Sequence, residues 1–289
     1  MFLSNIDGIP LALCNKLLPR SSLLNLGIFL HIWLNALGLR TKSINKSTKL
    51  STYKQSKAKV IAIQEHLLST IKKLNWKLGQ SQWANYYVNT NYSKNDEIQK
   101  ESIVSLWVGQ LGVSTILDLG ANDGRYSRLL AKQADLVIST DYDETAIELN
   151  YLLSKKMDLN NVQTLHLDFA NPAPAIGFAN CERKSFLQRV DVDLILALAL
   201  IHHLVITHDL PFEKLASQLA KMTRFLIIEF PQREAEKVIQ ISQAKPYQYK
   251  SYTHENFINS FGQYFNLKSV EVISGNNRSI YLYERKVEA

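Results

Sequence analysis

The sequence predicts an α/β protein: a doubly wound, mostly parallel seven-stranded sheet behind a helical N-terminal extension. Three observations predict it. From residue 111 onward, short aliphatic and β-branched runs alternate with segments of helical period. The first run ends in Asp118-Leu119-Gly120-Ala121-Asn122-Asp123-Gly124, a glycine-bearing turn suited to carrying a strand into a helix. The last two runs are separated by Gly275-Asn276-Asn277, a turn signal that makes them a terminal pair.

The extension comes first. Residues 9–39 are strongly apolar, and Ser22 to Leu39 carries no charge between Arg20 and Arg40. That length approaches the ~20 residues of a membrane span. Asn25, His31 and Asn35, however, fall within about 120° of one another on a helical wheel, which describes an amphipathic helix with a narrow polar stripe. A docked helix is therefore expected rather than a span. A signal peptide is not expected, because no small-residue cleavage site follows a short apolar stretch. Residues 40–60 are rich in Lys, Ser and Thr and read as a basic, solvated linker. Residues 61–110 read as a helical lead-in. Ile61, His66, Leu67, Ile71 and Leu74 keep helical spacing, and Trp83, Tyr86, Tyr87 and Tyr92 form an aromatic cluster. Asn95 or Asp96 is the expected N-cap of a helix carrying Ile103, Leu106, Trp107 and Leu111.

Residues 111–289 make the main domain. Strands are expected at 113–120, 134–141, 162–168, 191–200, 223–230, 267–274 and 278–285. After the second strand, Asp143 caps a helix bearing Ala146, Leu149 and Leu153 on one face.

The chain of 289 residues has a net charge of +7, and this charge is unevenly placed. Residues 1–110 carry +9 and residues 111–289 carry −2. Between Arg40 and Lys77 there are ten basic side chains and one acid, Glu65. A run of this kind is usually a solvated face. It also admits a nucleic-acid partner through Arg40 to Lys77, or peripheral membrane contact together with the apolar segment. The two cysteines, Cys14 and Cys181, are too few for a disulfide scaffold or a structural zinc site, so no metal is expected. The expected location is cytoplasmic, with a membrane-peripheral position as the alternative.

The chemistry is carried by strand ends. Gly120 and Gly124 permit backbone conformations and close ligand approach that a Cβ forbids. Asp141 ends the second strand, where a carboxylate can accept both hydroxyls of a ribose. Asp168-Phe169 ends the third, pairing an acceptor for an adenine amino group with a ring to pack on the base. His202-His203 follows the fourth, at the edge where open α/β sheets bind ligands. Each has a plainer reading, as turn carboxylate, helix cap or strand-end pair, but four such features at four consecutive strand ends favour a site. A dinucleotide fingerprint is not met, because Asn122 and Arg125 stand where G-x-G-x-x-G needs glycine, and no phosphate-binding G-x-x-x-x-G-K-[ST] occurs.

TILDLGANDGRYS, STDYDETAIE, LHLDFANP and DLILALALIHHL together resemble the four motifs of class I S-adenosylmethionine-dependent methyltransferases, over about residues 113–285. ERKSF, ALALIHHL and IIEFP, with DGIPLALCNKLLP and WANYYVNTNY upstream, resemble a narrower, uncharacterised bacterial group sometimes named with nodulation methyltransferases. The resemblance implies a Rossmann-like sheet and S-adenosyl-L-methionine as cofactor. It also implies relatives that extend further upstream, and so a further domain preceding these residues. Residue by residue, it implies that Gly120, Asn122 and Gly124 form the loop under the methionine portion and that Asp118 steadies that loop. Asp141 would take the ribose hydroxyls, and Asp168 with Phe169 would read the adenine. His202 or His203 is the candidate general base or acceptor-orienting group, because imidazole titrates near neutrality. Glu229, closing the fifth strand, is a further candidate; its plainer reading is a carboxylate paired with a lysine or arginine. The fourth motif lacks Asn/Asp-Pro-Pro-Tyr/Phe, and no Pro-Cys occurs. These features lean toward oxygen or carbon of a small molecule as acceptor. A nucleic-acid or protein methyltransferase and a non-catalytic cofactor-binding module are the alternatives.

Overall fold

In a computed structural model of the chain, the described residues are 5–38, 56–74, 76, 79, 94–243, 245, 250–273 and 277–287. The aromatic cluster Trp83, Tyr86, Tyr87 and Tyr92, most of the basic linker, and Gly275 and Asn276 lie outside them. The chain divides into two units, residues 1–77 with 176–183, and residues 78–175 with 184–289.

The first unit begins with α1 (Leu11–Leu17) and a 3-10 turn at Arg20–Leu24. The expected continuous helix from Ser22 is broken at Asn25. Asn25 is extended and turns its side chain into a cap that accepts from the Ile28 amide at 3.1 Å. Helix then resumes at Leu26–Ile28 and passes into a π-helical turn at Phe29–Leu34. The polar stripe is used internally. Asn35 donates to the Leu30 and His31 carbonyls, and His31 pairs through Nε2 with Nδ1 of His66 at 2.8 Å. His66 belongs to α2 (Lys57–Lys72), which Ser56 caps, so Lys57 and Lys59 are helical rather than linker. Among the described residues no helix is long and apolar enough to cross a membrane.

The second unit opens with α3 (Lys94–Leu111). Because it starts at Lys94, Asn95 and Asp96 sit inside its first turn rather than capping it. The rest alternates: β1 (Thr115–Leu119), α4 (Arg125–Leu130), β2 (Leu136–Asp141), α5 (Glu144–Lys156), β3 (Val162–His166), α6 (Phe186–Arg189), β4 (Val192–Ala197), α7 (Phe212–Ala220), β5 (Thr223–Pro231), α8 (Glu236–Ser242), α9 (His254–Tyr264), β6 (Phe265–Ile273) and β7 (Arg278–Arg285). Asp143 caps α5 as expected, accepting from Thr145 and Ala146 amides at 2.9 Å.

The seven strands form one sheet in the order β3-β2-β1-β4-β5-β7-β6. β1 to β5 are parallel, and β7 runs antiparallel between β5 and β6. Alternate residues of the central strands feed opposite faces. Ile116, Leu194, Leu196, Phe225, Ile227, Ile280 and Leu282 pack on the side that holds Val104, Trp107 and Leu130. Leu117, Ile195, Ala197, Leu226, Ile228, Tyr281 and Tyr283 pack on the side of Phe212, Phe257 and Phe261. Both faces are covered, which is why these strands read as unbroken apolar runs. The strand order reverses between β1 and β4, and that switch point opens a crevice at the carboxyl edge.

Candidate active site

A cavity of about 470 Å³ lies at this switch point. The ends of β1 and β2 contribute Leu119, Gly120, Asn122, Asp141 and Tyr142; the segment after β3 contributes Leu167, Asp168 and Phe169. After β4 come Leu198, Ala199, Leu200, His203, Leu204, Thr207 and His208. Gly120, Asn122, Asp141, Asp168, Phe169 and His203, all anticipated from strand ends, therefore share one cavity. Among the described residues Asp118, Gly124, His202 and Glu229 lie outside its lining.

The turn after β1 is fixed by its own amides. Gly120 takes φ +71°, Asn122 φ 53° and Gly124 φ +78°, so three left-handed residues fold a short loop into the start of α4. A Cβ on Gly120 would come within 3.1 Å of Leu200, across the cavity wall. Asp141 ties the loop to β2. One of its oxygens accepts from the Asn122 amide and the other from the Asp143 amide, both at 2.8 Å. Burial pushes its carboxyl above the ordinary range. Asp168 accepts from the Ala170 amide at 2.9 Å, and Phe169 is half-buried beside it.

Asp118 supports the loop from beneath. It is buried and accepts from Ser127 on α4 at 2.6 Å. Ser127 and Ser139 hydroxyls lie 2.7 Å apart, and Asn150 on α5 donates to Ser139 at 2.6 Å. One consistent proton order runs Asn150 to Ser139 to Ser127 to Asp118, each group donating to the next. Burial pushes Asp118 up to about 7, against the opposing Ser127 hydrogen bond. Gly124 faces this chain, and a Cβ there would overlap the Asn150 amide group.

The histidines separate. His203 starts a π-helical turn (His203–Thr207) and faces the cavity, whereas His202 is buried, with no hydrogen-bond partner for Nδ1 among the described residues. Burial, then Lys237 and other cationic neighbours, depress His203 to about 4. Burial first, then cationic neighbours including His203, also holds His202 well below the ordinary imidazole range. Both rings are neutral at pH 7.

Glu229 is fully buried behind the cavity wall. It takes Lys100 from α3 at 2.5 Å and Arg278 from β7 at 2.9 Å, and it also accepts from the Ala199 amide at 3.0 Å. Ala199 itself has φ 49°, so a carboxylate holds a strained wall residue in place. Burial outweighs the Glu229 attraction and lowers Lys100 from its usual value. On the outer side, Arg125 joins Glu97 at 2.7 Å and Glu101 at 2.5 Å, linking the turn to α3. Lys100, Arg278 and Asn150 carry no motif of their own, and only folding brings them to the site.

The parallel order β3-β2-β1-β4-β5, closed by an antiparallel β7 and an outer β6, decides the fold. It is a Rossmann-like, doubly wound fold, as the sequence predicts. A scan of family models gives no match. The chain is similar to nodulation protein NoeA of Rhizobium meliloti (strain 1021), at 30% identity over 97% of this chain. It spans 60% of the length of that curated relative. The solved PH0226 protein of Pyrococcus horikoshii OT3 is similar at TM-score 0.50 and 13% identity, covering 72% of this chain and 100% of its own. The N-methyltransferase NodS of Bradyrhizobium japonicum WM9, solved with S-adenosyl-L-homocysteine, matches at TM-score 0.49 and 12% identity, over 71% of this chain and 97% of its own.

Proposed function

We propose that this chain transfers a methyl group from S-adenosylmethionine to a small-molecule acceptor. The observation that carries the reading is the convergence of Gly120, Asn122, Asp141, Asp168 and Phe169 on one cavity beside His203.

The residues fit the cofactor. Gly120 keeps the loop floor open where a side chain would meet Leu200. Backbone amides anchor both Asp141 oxygens at the cavity, which suits a carboxylate that accepts from neighbouring ribose hydroxyls. Asp168 accepts the Ala170 amide through one oxygen and lines the cavity next to Phe169, an acceptor and a ring suited to an adenine. The bound cofactor supplies an electrophilic methyl group on a sulfonium. The chain's own work is then alignment and exclusion of water. Leu198, Leu200 and Leu204 make much of the wall apolar, and His203, Thr207 and His208 are its polar groups on the acceptor side. Its depressed pKa leaves it a neutral hydrogen-bonding group at pH 7, so it orients the acceptor more than it removes protons. Glu229 serves as a positioning residue through Ala199. A cavity of about 470 Å³ suits small ligands.

Calorimetric titration with S-adenosylmethionine tests the reading. The wild-type chain is expected to bind, and Asp141→Ala, checked for folding by circular dichroism, to bind more than about tenfold more weakly, since two charged hydrogen bonds are lost. His203→Ala is expected to lower turnover while leaving cofactor affinity unchanged. A folded wild-type chain with no affinity for S-adenosylmethionine overturns the proposal.

A further inference from the structure

The cavity is electrically two-sided. Strand order sets its carboxylates on one side, Asp141 at the end of β2 and Asp168 just after β3. Across β1, the segment after β4 brings His203, Thr207 and His208, and the cavity's described lining has no carboxylate on that side. The groups behind that side are mostly cations. Lys245 donates to the Thr207 carbonyl at 2.9 Å. Lys237 lies on α8, which packs against the π-helical turn. Glu229 is the buried acid nearby, and it is already shared between Lys100 and Arg278. α8 also carries Glu236, and Lys237 and Arg278 are the fixed cations whose fields reach His203.

Resting on the proposed methyl transfer, we infer that the acceptor is a carboxylate, methylated on oxygen. If Asp141 and Asp168 hold the ribose and adenine, the reactive end projects toward β4, where a cationic surround attracts an anion and repels an ammonium group. The reaction balances without a base. A carboxylate lone pair forms the O–CH₃ bond, the S–CH₃ bond breaks with its pair left on sulfur, and a neutral ester and thioether result. No proton moves, which matches a site whose imidazole is too weak a base to deprotonate an amine. His203 and Thr207 then serve as hydrogen-bond donors that orient the second carboxylate oxygen.

The test uses the full chain saturated with S-adenosylhomocysteine, titrated with benzoate and with benzylamine, probes of matched size and opposite charge. Benzoate is expected to bind and benzylamine to bind at least roughly tenfold more weakly at low salt. Lys237→Gln is expected to weaken benzoate about threefold and to leave S-adenosylhomocysteine affinity unchanged. Benzylamine binding as well as benzoate, or no benzoate binding, overturns the inference while leaving methyl transfer intact. Failure to bind S-adenosylhomocysteine overturns the underlying reading instead. In turnover with methyl-labelled S-adenosylmethionine, label transferred to product should be released as methanol by mild alkali, as an ester requires. Alkali-stable label would overturn the assignment.

Discussion

Gly124→Ala tests whether the turn after β1 is built as described. Two costs add. Gly124 has φ +78°, and an L-residue held in the left-handed region costs about 1–2 kcal/mol. The added Cβ also overlaps the Asn150 amide, which is fully buried and cannot move into solvent. Displacing it breaks the 2.6 Å bond to Ser139 and leaves a buried polar group unmatched, about 1–3 kcal/mol more. The total, about 2–5 kcal/mol, corresponds to a fall in Tm of roughly 5–15 °C for a domain of this size. Thermal unfolding by calorimetry measures it. Asn150→Ala separates the two costs. In that background the methyl group has space and only the backbone cost remains, so the two substitutions should couple by about 1–3 kcal/mol. A Tm within about 2 °C of wild type for Gly124→Ala, or strict additivity of the pair, would refute the reasoning.

Glu229→Gln keeps an acceptor for the Ala199 amide but leaves the Lys100 and Arg278 charges buried without their counter-ion. Denaturant titration should show a loss of about 3–5 kcal/mol. Asp118→Asn should change the pH dependence of stability. With its carboxyl pushed up to about 7, the native state holds a proton that the unfolded chain releases near pH 4. Stability therefore falls as pH rises from about 4 to 7, and Tm measured across that window should fall less steeply in the variant. Arg125→Ala removes two half-exposed pairs, with Glu97 and Glu101, and should cost only about 1 kcal/mol, shrinking further in high salt.

Much of the sheet was legible because its strands are buried on both faces. The expected 113–120 and 191–200 contain β1 (Thr115–Leu119) and β4 (Val192–Ala197), and β7 fills 278–285. Asp143 was legible as a cap because capping is a local bond within three residues. The same logic failed at Asn95 and Asp96, where helix is already established at Lys94. It failed again across Ser22 to Leu39, where composition suits one helix but the Asn25 side chain competes for the Ile28 amide and interrupts it. Periodicity does not register a single extended residue.

The site divides along the same line. Residues that reach the cavity directly from strand ends were legible from the sequence, since counting strands gives the edge on which they stand. Those acting through a partner were not, because the partner is distant. Lys100 stands 129 positions from Glu229, and Arg278 stands 49. Yet a charge at the end of an apolar strand already implies its own counter-ion, because an unpaired buried charge costs more than a fold of marginal stability tolerates. The sequence around Glu229, Ile227-Ile228-Glu229-Phe230-Pro231, therefore called for a lysine or arginine before it called for a substrate. By the same reasoning, Lys100 and Arg278 share the single carboxylate of Glu229 behind the wall that carries His203, and Lys245 bonds the Thr207 carbonyl, so a carboxylate acceptor would bring negative charge to the side of the cavity where cations outnumber acids.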